Sequence, residues 1–412
     1  MQFKNIELLA PAGSFESLMA AIQAGANAIY FGVEQLNMRS RSSVNFSIDD
    51  LCEISKICKE HEVKAYLTLN TIVYDHDISL MKSIVDAAKA NNINAVIAAD
   101  LAVMNYAKKI GLPVHISTQA NITNIDTVEF YANYADVVVT SRELSLLQVK
   151  TLHKKIIRNN IKGPNGEIIK IEIFAHGALC MAVSGKCYLS LHSNFASANR
   201  GACIQNCRKS YIVTDKEDGV ELEIDNEYIM SAKDLCTISF LDKILEAGVS
   251  VLKIEGRGRS ADYVYTVTQC YRQAIDSMQN NEFTQEKVDI WLQKLATVYN
   301  RGFWDGYYLG KKMGEWSNQY GSQATKRKIY IGKGIKYFDK INVAEFFMEA
   351  NNLSVGDEII ISGPTTGYIQ TNINQIMFDN KEVKSVNKGD SFSIKIENKI
   401  RPSDKLYKLI DA

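Results

Sequence analysis

Eight short apolar runs, nearly all separated by helix-length segments, constrain this chain more than any other feature. They are Ile6–Ala10, Ala28–Gly32, Lys64–Leu69, Ala95–Ala99, Val114–Ser117, Val137–Thr140, Ile171–Ala175 and Val251–Ile254. Their apolarity is continuous rather than alternating, which predicts strands buried on both faces of a parallel sheet. Eight such units are the count for a (β/α)8 barrel. The intervening segments agree: Ser47 suits an N-cap, Asp49 and Asp50 the first turn, and Ile48, Leu51, Ile54 and Ile57 one apolar stripe. A doubly wound open sheet is the competing architecture, but no G-x-G-x-x-G follows the first run. The expected fold is therefore an α/β, TIM-like (β/α)8 barrel.

With 412 residues and 46% apolar content, the chain can bury a large core and is expected to form two domains. Residues 1–322 would hold the barrel, with a cysteine-bearing insertion at 180–228 after the seventh strand; a polar linker, roughly 314–327, leads into the second domain. From Ile329 the style changes to short strands (KIYIGKGI, DEIIIS, SFSIKI) separated by VGD, GPTTG and NKGD, which predicts a small β-barrel or sandwich, taken as a β-barrel domain over residues 323–412. That region resembles the β-barrel domains of translation factors, pointing toward RNA; a stabilising appendage explains it equally well. Basic and acidic residues balance at 47 each, so no global field recruits nucleic acid or acidic lipid. The N-terminus lacks a signal-peptide layout, and no run approaches the roughly 18 apolar residues a membrane span needs. The expectation is a cytoplasmic protein, in which structural disulfides are disfavoured.

Polar residues gather after the strands: Gly32, Asn70, Asp100, then Ser117, Gln119 and Asn121, then Ser141, Arg142 and Glu143, then His176, and finally Lys253, Glu255 and Arg257. Barrel enzymes build their sites at the carboxyl ends of strands. Any one of these residues, Asp100 and Ser141 especially, serves equally well as a helix cap or turn. The set favours a site.

The stretch Glu172–Arg208 carries Cys180, Cys187, Cys203 and Cys207, spaced Cys-x6-Cys, a gap of fifteen, then Cys-x3-Cys. Gly177, Gly185 and Gly201 supply turns that let thiols converge. A nucleophilic cysteine with His176 or His192 as its base leaves three companions unexplained. Four thiolates suit structural zinc or an iron–sulfur cluster, and spacing does not separate the two. Cys236 is a spare ligand, whereas Cys52, Cys58 and Cys270 sit in helical patterns as packing residues. H-E-x-x-H, G-x-S-x-G and G-x-x-x-x-G-K-[ST] are all missing, so no standard hydrolase apparatus is legible.

The run EIFAHGALCMAVSGKCYLS resembles the hallmark of peptidase family U-32, the collagenase-like proteins. ELLAPAGS, the MRSR of residues 38–41, STQAN, SRELSL, NRGACIQNCR, SAKDL and LKIEGRGRS extend the resemblance along essentially the whole chain. Despite the peptidase label, the resemblance implies oxygen-independent hydroxylases that bind a 4Fe–4S cluster through four cysteines. Branches act on a tRNA wobble uridine with prephenate as hydroxyl source, on a ribosomal RNA cytidine, or, as heterodimers of paralogues, on ubiquinone precursors. Cys203–Cys207 followed by Arg208, together with SRELSL and the β appendage, is most similar to the tRNA branch. The implied ligands are Cys180, Cys187, Cys203 and Cys207, with Cys236 as an alternative. A small prephenate-like acid would then be held by Arg142, Lys253 or Arg257, with Arg39 and Arg41 available for carboxylate or phosphate and Gln119, Asn121 and Glu143 beside them. His176 and Glu255 are the proton-transfer candidates, and the expected partner is tRNA. A peptidase remains the alternative reading.

Overall fold

The computed structural model describes residues 5–41, 45–212, 228–310 and 314–412. Residues 213–227 of the expected insertion, with the charged run TDKEDGVELEIDNE, lie outside the described residues. The barrel strands are β1 (Glu7–Pro11), β2 (Ala28–Phe31), β3 (Lys64–Leu69), β4 (Ala95–Ala98), β5 (Val114–Ile116), β6 (Val137–Val139), β7 (Lys170–Ala178) and, after the short β8 (Asp234–Cys236), β9 (Val249–Ile254). Neighbours pair in parallel from β1 through β7, and β9 pairs in parallel with both β7 and β1, closing the barrel. All eight expected runs are therefore barrel strands. Their continuous apolarity follows from burial on both faces: Leu9, Ala28, Tyr30, Tyr66, Ala95, Ile97, Val137 and Val251 pack together as one cluster, and a larger cluster joins the sheet to its helices.

The helices are α1 (Phe15–Gln23), α2 (Asp50–Glu60), α3 (Ile78–Ala90), α4 (Leu101–Ile110), α5 (Ile125–Ala132), α6 (Leu146–Arg158), α7 (Leu189–Asn194), α8 (Leu241–Glu246), α9 (Ala261–Gln279) and α10 (Gln285–Ala296). Short polar side chains at their starts accept from free backbone N–H groups: Ser14 for α1, Asp100 for α4, Asn124 for α5, Ser145 for α6 and Thr284 for α10. Asp100 is thus the helix cap its alternative reading made it.

The seventh unit is where the barrel departs from regularity. β7 runs on to Ala178 because its last residues pair antiparallel with β8, His176 opposite Cys236. Between those strands the chain leaves the sheet with the cysteines and returns. A two-residue strand, β10 (Phe303–Trp304), extends β8.

The C-terminal region is antiparallel. Its strands are β11 (Lys326–Phe338), β12 (Val343–Met348), β13 (Asn352–Ser354), β14 (Glu358–Gly363), β15 (Gly367–Asn372), β16 (Ile376–Phe378), β17 (Lys381–Val383), β18 (Ser385–Asn387), β19 (Ser391–Lys395) and β20 (Lys405–Asp411). Eight form one sheet in the order β15-β14-β20-β11-β12-β19-β16-β17, around a separate core that includes Ile331, Phe346, Ile361 and Phe392. This sheet packs on α1 and α9. Ala20, Ala261, Ile360 and Tyr368 form the apolar contact, and the Gln23 amide donates to Thr366 O and accepts from Tyr368 N.

Candidate active site at the barrel mouth

The carboxyl ends of the strands open into a cavity of about 820 Å³ lined by Tyr30, Thr68, Asn70, Ser117, Gln119, Arg142, Phe174, Lys253, Glu255 and Arg257, among others. The cysteine insertion closes over it. Cys180, Cys187, Cys203 and Cys207 all line the same cavity, and all are free thiols.

The cavity is strongly cationic. Among its described lining residues, Arg39, Arg142, Arg208, Lys209, Lys253, Arg257, Arg259 and Arg301 are basic, and Glu255 is the one carboxylate. Each cation is held differently. Arg39 Nη2 lies 2.8 Å from Glu255 Oε1. Burial alone would raise the Glu255 carboxyl, but the guanidinium groups of Arg39 and Arg259 hold it down at about 2. Glu255 is therefore a fixed anion that orients Arg39, poorly suited to the proton transfer expected of it.

Lys253 Nζ bonds Glu172 Oε1 at 2.8 Å within the barrel and stands 4.7 Å over the Tyr30 ring. Burial pulls the lysine down and pushes the glutamate up, and each partner opposes the shift of the other.

Arg257 is only 5% exposed, and its Nη1 donates to Thr68 Oγ1 at 2.6 Å and Asn37 Oδ1 at 3.1 Å. Burial lowers it to about 10. Arg142 lies 3.9 Å over Phe174 and reaches Ala178 O at 3.3 Å, while its buried Nε has no partner. Among the described residues no carboxylate bonds either arginine. Two cations with neutral partners in a shielded cavity suit an anion chemically.

The insertion is sewn to the barrel by backbone contacts. Asn121 donates to Gln119 O at 2.8 Å and Ser184 O at 3.2 Å, which holds the loop between Cys180 and Cys187. Gly185, at φ +74°, presses on the Gln119 side chain, so a Cβ there has no room. On the other side Gly201, at φ +80°, meets the Asn37 carbonyl and the Ser40 side chain. Arg200 bonds Asp77 and donates to Ile72 O at 3.1 Å.

Arg208 joins the two halves. It donates to Leu179 O at 2.7 Å, the residue before Cys180, and to Ser231 Oγ at 3.1 Å and Ala232 O. The first and last cysteines are thus pinned together through one guanidinium. Burial pushes the Cys207 thiol up, as do Cys180, Cys203 and Cys187, against Arg208. Among the described residues no three His, Cys, Asp or Glu side chains stand in coordination geometry. The donor set nonetheless fits a metal centre chemically: four thiols face one cavity, and their thiolates repel until a cation joins them.

Several expected residues fall elsewhere. His176 does not line the cavity. It is packed among Tyr263, Tyr271 and Phe303, and burial lowers it to about 3, so it stays neutral and away from any ligand there. It lies within β7, which continues past the expected end to Ala178, and the side-chain alternation of the strand aims the ring outward. Arg41 and Glu143 are exposed and do not line the cavity, and Asn121 serves the insertion. Cys236 lies in the hydrophobic core beside Tyr271, with its thiol pushed up to about 11 by burial, rather than beside the other four cysteines. Cys58 and Cys270 are core residues as expected, but Cys52 is exposed on α2. Reading from sequence missed Tyr30, Thr68, Tyr299, Arg259 and Arg301. The second arginine of LKIEGRGRS was a signal for Arg259; the others had none.

Relatives of the chain carry two kinds of name. A Porphyromonas gingivalis protein named Collagenase is 56% identical over 408 residues, covering 99% of each chain. A Helicobacter pylori protein named tRNA hydroxylation protein P is 33% identical over 316 residues, 74% of this chain and 72% of that one. An Escherichia coli 23S rRNA 5-hydroxycytidine synthase is 31% identical over 278 residues, 66% of this chain and 40% of that one. The match to Peptidase family U32 spans residues 13–318, and the chain belongs to that family.

Proposed function

We propose that this protein hydroxylates a tRNA uridine at the wobble position without molecular oxygen, using a 4Fe–4S cluster and a prephenate-like dicarboxylic acid as hydroxyl source. The observation that carries the reading is the joint lining of one cavity by four free thiols and, among the described residues, eight cations against a single carboxylate. Cys180, Cys187, Cys203 and Cys207 would hold the cluster, which when bound supplies one-electron chemistry at the cavity mouth. Arg257 and Arg142 would take the two carboxylates of the acid, because neither is neutralised by a carboxylate bonded to it. Lys253, fixed by Glu172, contributes positive charge from below, and Glu255 keeps Arg39 pointed at the same space. Tyr30 forms a wall. Its hydroxyl donates to Ile254 O at 2.8 Å, and burial raises its pKa far above the usual range, so it stays protonated. The relative named for tRNA hydroxylation supports the substrate class.

The test is mass spectrometry of tRNA nucleosides from cells lacking the gene and its paralogues, complemented with wild type or Arg142→Ala. A hydroxyuridine-type nucleoside restored by wild type alone is the expected result. An unchanged tRNA profile with an altered ribosomal RNA cytidine would move the substrate to rRNA.

The relative named Collagenase favours a second reading, a peptidase. Against it, none of the six histidines lines the cavity with the thiols. Hydrolysis of gelatin by the purified protein, lost in Cys180→Ala, would establish that reading instead.

A further inference from the structure

The cysteine insertion and the loop that carries Tyr320 expose rings beside segments that line the cavity. Phe195 is 95% exposed and Tyr188 72%, both on the cysteine insertion, Tyr188 between the cavity-lining Cys187 and Leu189, and Tyr320, which lines the cavity, is 73% exposed. Phe195 ends α7 in a left-handed conformation, φ +52°, unusual for so bulky a residue. Its backbone is held there by bonds from Phe195 N to Leu191 O and from Ala196 N to Ser190 O. The platform is tied to the cysteines: Ile204 N donates to Ser190 Oγ at 2.9 Å, and Asn206 bonds Ser193. Leu189, Ile204 and Tyr320 line the cavity itself, so the apolar rim and the cationic interior form one continuous surface. Arg200 of the insertion lies 4.1 Å over the half-exposed ring of Tyr74, on the β3–α3 loop.

We propose that this rim is a stacking platform for the unpaired bases of a single-stranded RNA loop, with Phe195 and Tyr188 carrying the bases. The inference rests on the RNA-hydroxylase reading above. Flat exposed rings bordering a cavity whose described lining holds eight cations and one carboxylate match a polyanion whose bases are splayed out. A paired duplex offers no free base faces to such rings. A target base must also leave its stack to enter a cavity of this kind, and rings at the entrance compensate for the stacking it loses.

The experiment uses the full chain and two labelled RNAs, a short hairpin with an unpaired loop and a fully paired duplex of the same stem. Wild type should prefer the hairpin. Phe195→Ala and Tyr188→Ala should each weaken hairpin binding about tenfold and leave duplex binding unchanged. The slope of affinity against salt should not change, because an uncharged ring releases no counterions. Both side chains are exposed, and unchanged thermal unfolding confirms that the variants are folded. Variants that bind the hairpin like wild type, in a protein that still restores the tRNA nucleoside in cells, overturn the platform and leave the hydroxylase reading intact. A wild type that binds neither RNA and restores no nucleoside overturns both. Self-association of wild type that Phe195→Ala abolishes, with hairpin affinity unchanged, would make the rim a protein interface and overturn the proposal.

Discussion

The floor and the roof of the cavity are built on opposite principles. The floor is rigid barrel: Lys253 and Glu172 are paired at 5% and 0% side-chain exposure, and Glu255 is held ionised by Arg39. The roof is loop: its thiols are half-buried or exposed, its rings face outward, and it is tied down mainly by hydrogen bonds to neighbouring loops. Part of the floor's charge is satisfied within the fold, Lys253 by Glu172 and Arg39 by Glu255, while Arg142 and Arg257 have only neutral partners among the described residues. Among the described residues, the roof's four thiols have no such partners. The difference teaches that the barrel fixes its charged groups by burial and pairing, whereas the roof's thiols are placed mainly by loop hydrogen bonds.

The sharpest break in that comparison is loss of a roof thiol. Cys180→Ala, Cys187→Ala, Cys203→Ala and Cys207→Ala should each abolish iron and sulfide retention in anaerobically purified protein. Cys236→Ala and Cys270→Ala should retain both and cost about 1–3 kcal/mol as core truncations. Iron and sulfide analysis with the visible spectrum checks this. Stoichiometric zinc in wild type would replace the cluster, and loss of metal in Cys236→Ala alone would move a ligand.

The floor should fail differently. Lys253→Ala leaves Glu172 buried and unpaired, and should destabilise the chain by about 3–5 kcal/mol in urea unfolding. Lys253→Met with Glu172→Gln should recover much of that loss. A single variant with wild-type stability would show that the pair is not desolvated in solution.

Between floor and roof stands Arg208. Arg208→Gln should lose cluster severalfold faster under a chelator while leaving the unfolding midpoint within about 0.5–1 kcal/mol. Arg208→Lys, which keeps the charge but not the planar fork, should rescue only partly. Full rescue by lysine would mean that charge beside Cys207, rather than the bond to Leu179, is what matters.

Acid separates the regions further. Burial lowers His176 to about 3 and His115 to about 4, so both are neutral in the folded chain while the unfolded chain protonates them below about pH 6.5. The folded state binds fewer protons, so stability is full above that value and falls as pH drops. The loss approaches about 1.4 kcal/mol per pH unit for each histidine until its folded pKa is reached. Glu255, lowered to about 2, adds a further loss only below the ordinary glutamate range, and Arg39→Ala should remove that limb. Urea midpoints between pH 7.5 and about 2.5 test the order. The smallest effects belong to Arg41→Ala and Glu143→Ala, exposed and outside the cavity, which should change stability by no more than about 0.5 kcal/mol.

Much of this architecture is legible in the amino-acid sequence. A strand buried on both faces has to be apolar throughout, so the eight runs announce the barrel, and polar residues at their ends announce its working face. The four clustered cysteines are equally visible because they lie close together along the chain. β8 and β10 are not, since Asp234–Cys236 opens on a carboxylate and Phe303–Trp304 is two residues, so neither forms a continuous apolar run.

What the chain determines locally is therefore the barrel, its caps, the cysteine loop and the switch to antiparallel strands beyond Ile329. Only tertiary structure decided which charges meet. Arg39 finds Glu255 across 216 positions, and Arg257 finds Thr68 across 189. Side-chain direction was decided there too: His176 and Lys253 both stand near strand ends, yet one turns into an aromatic cluster outside the cavity and the other into it. The physical reason is that strand identity follows from a run of buried residues read along the chain. Ion pairing, burial and the inward or outward face depend on closing the sheet, which brings together residues no local pattern connects.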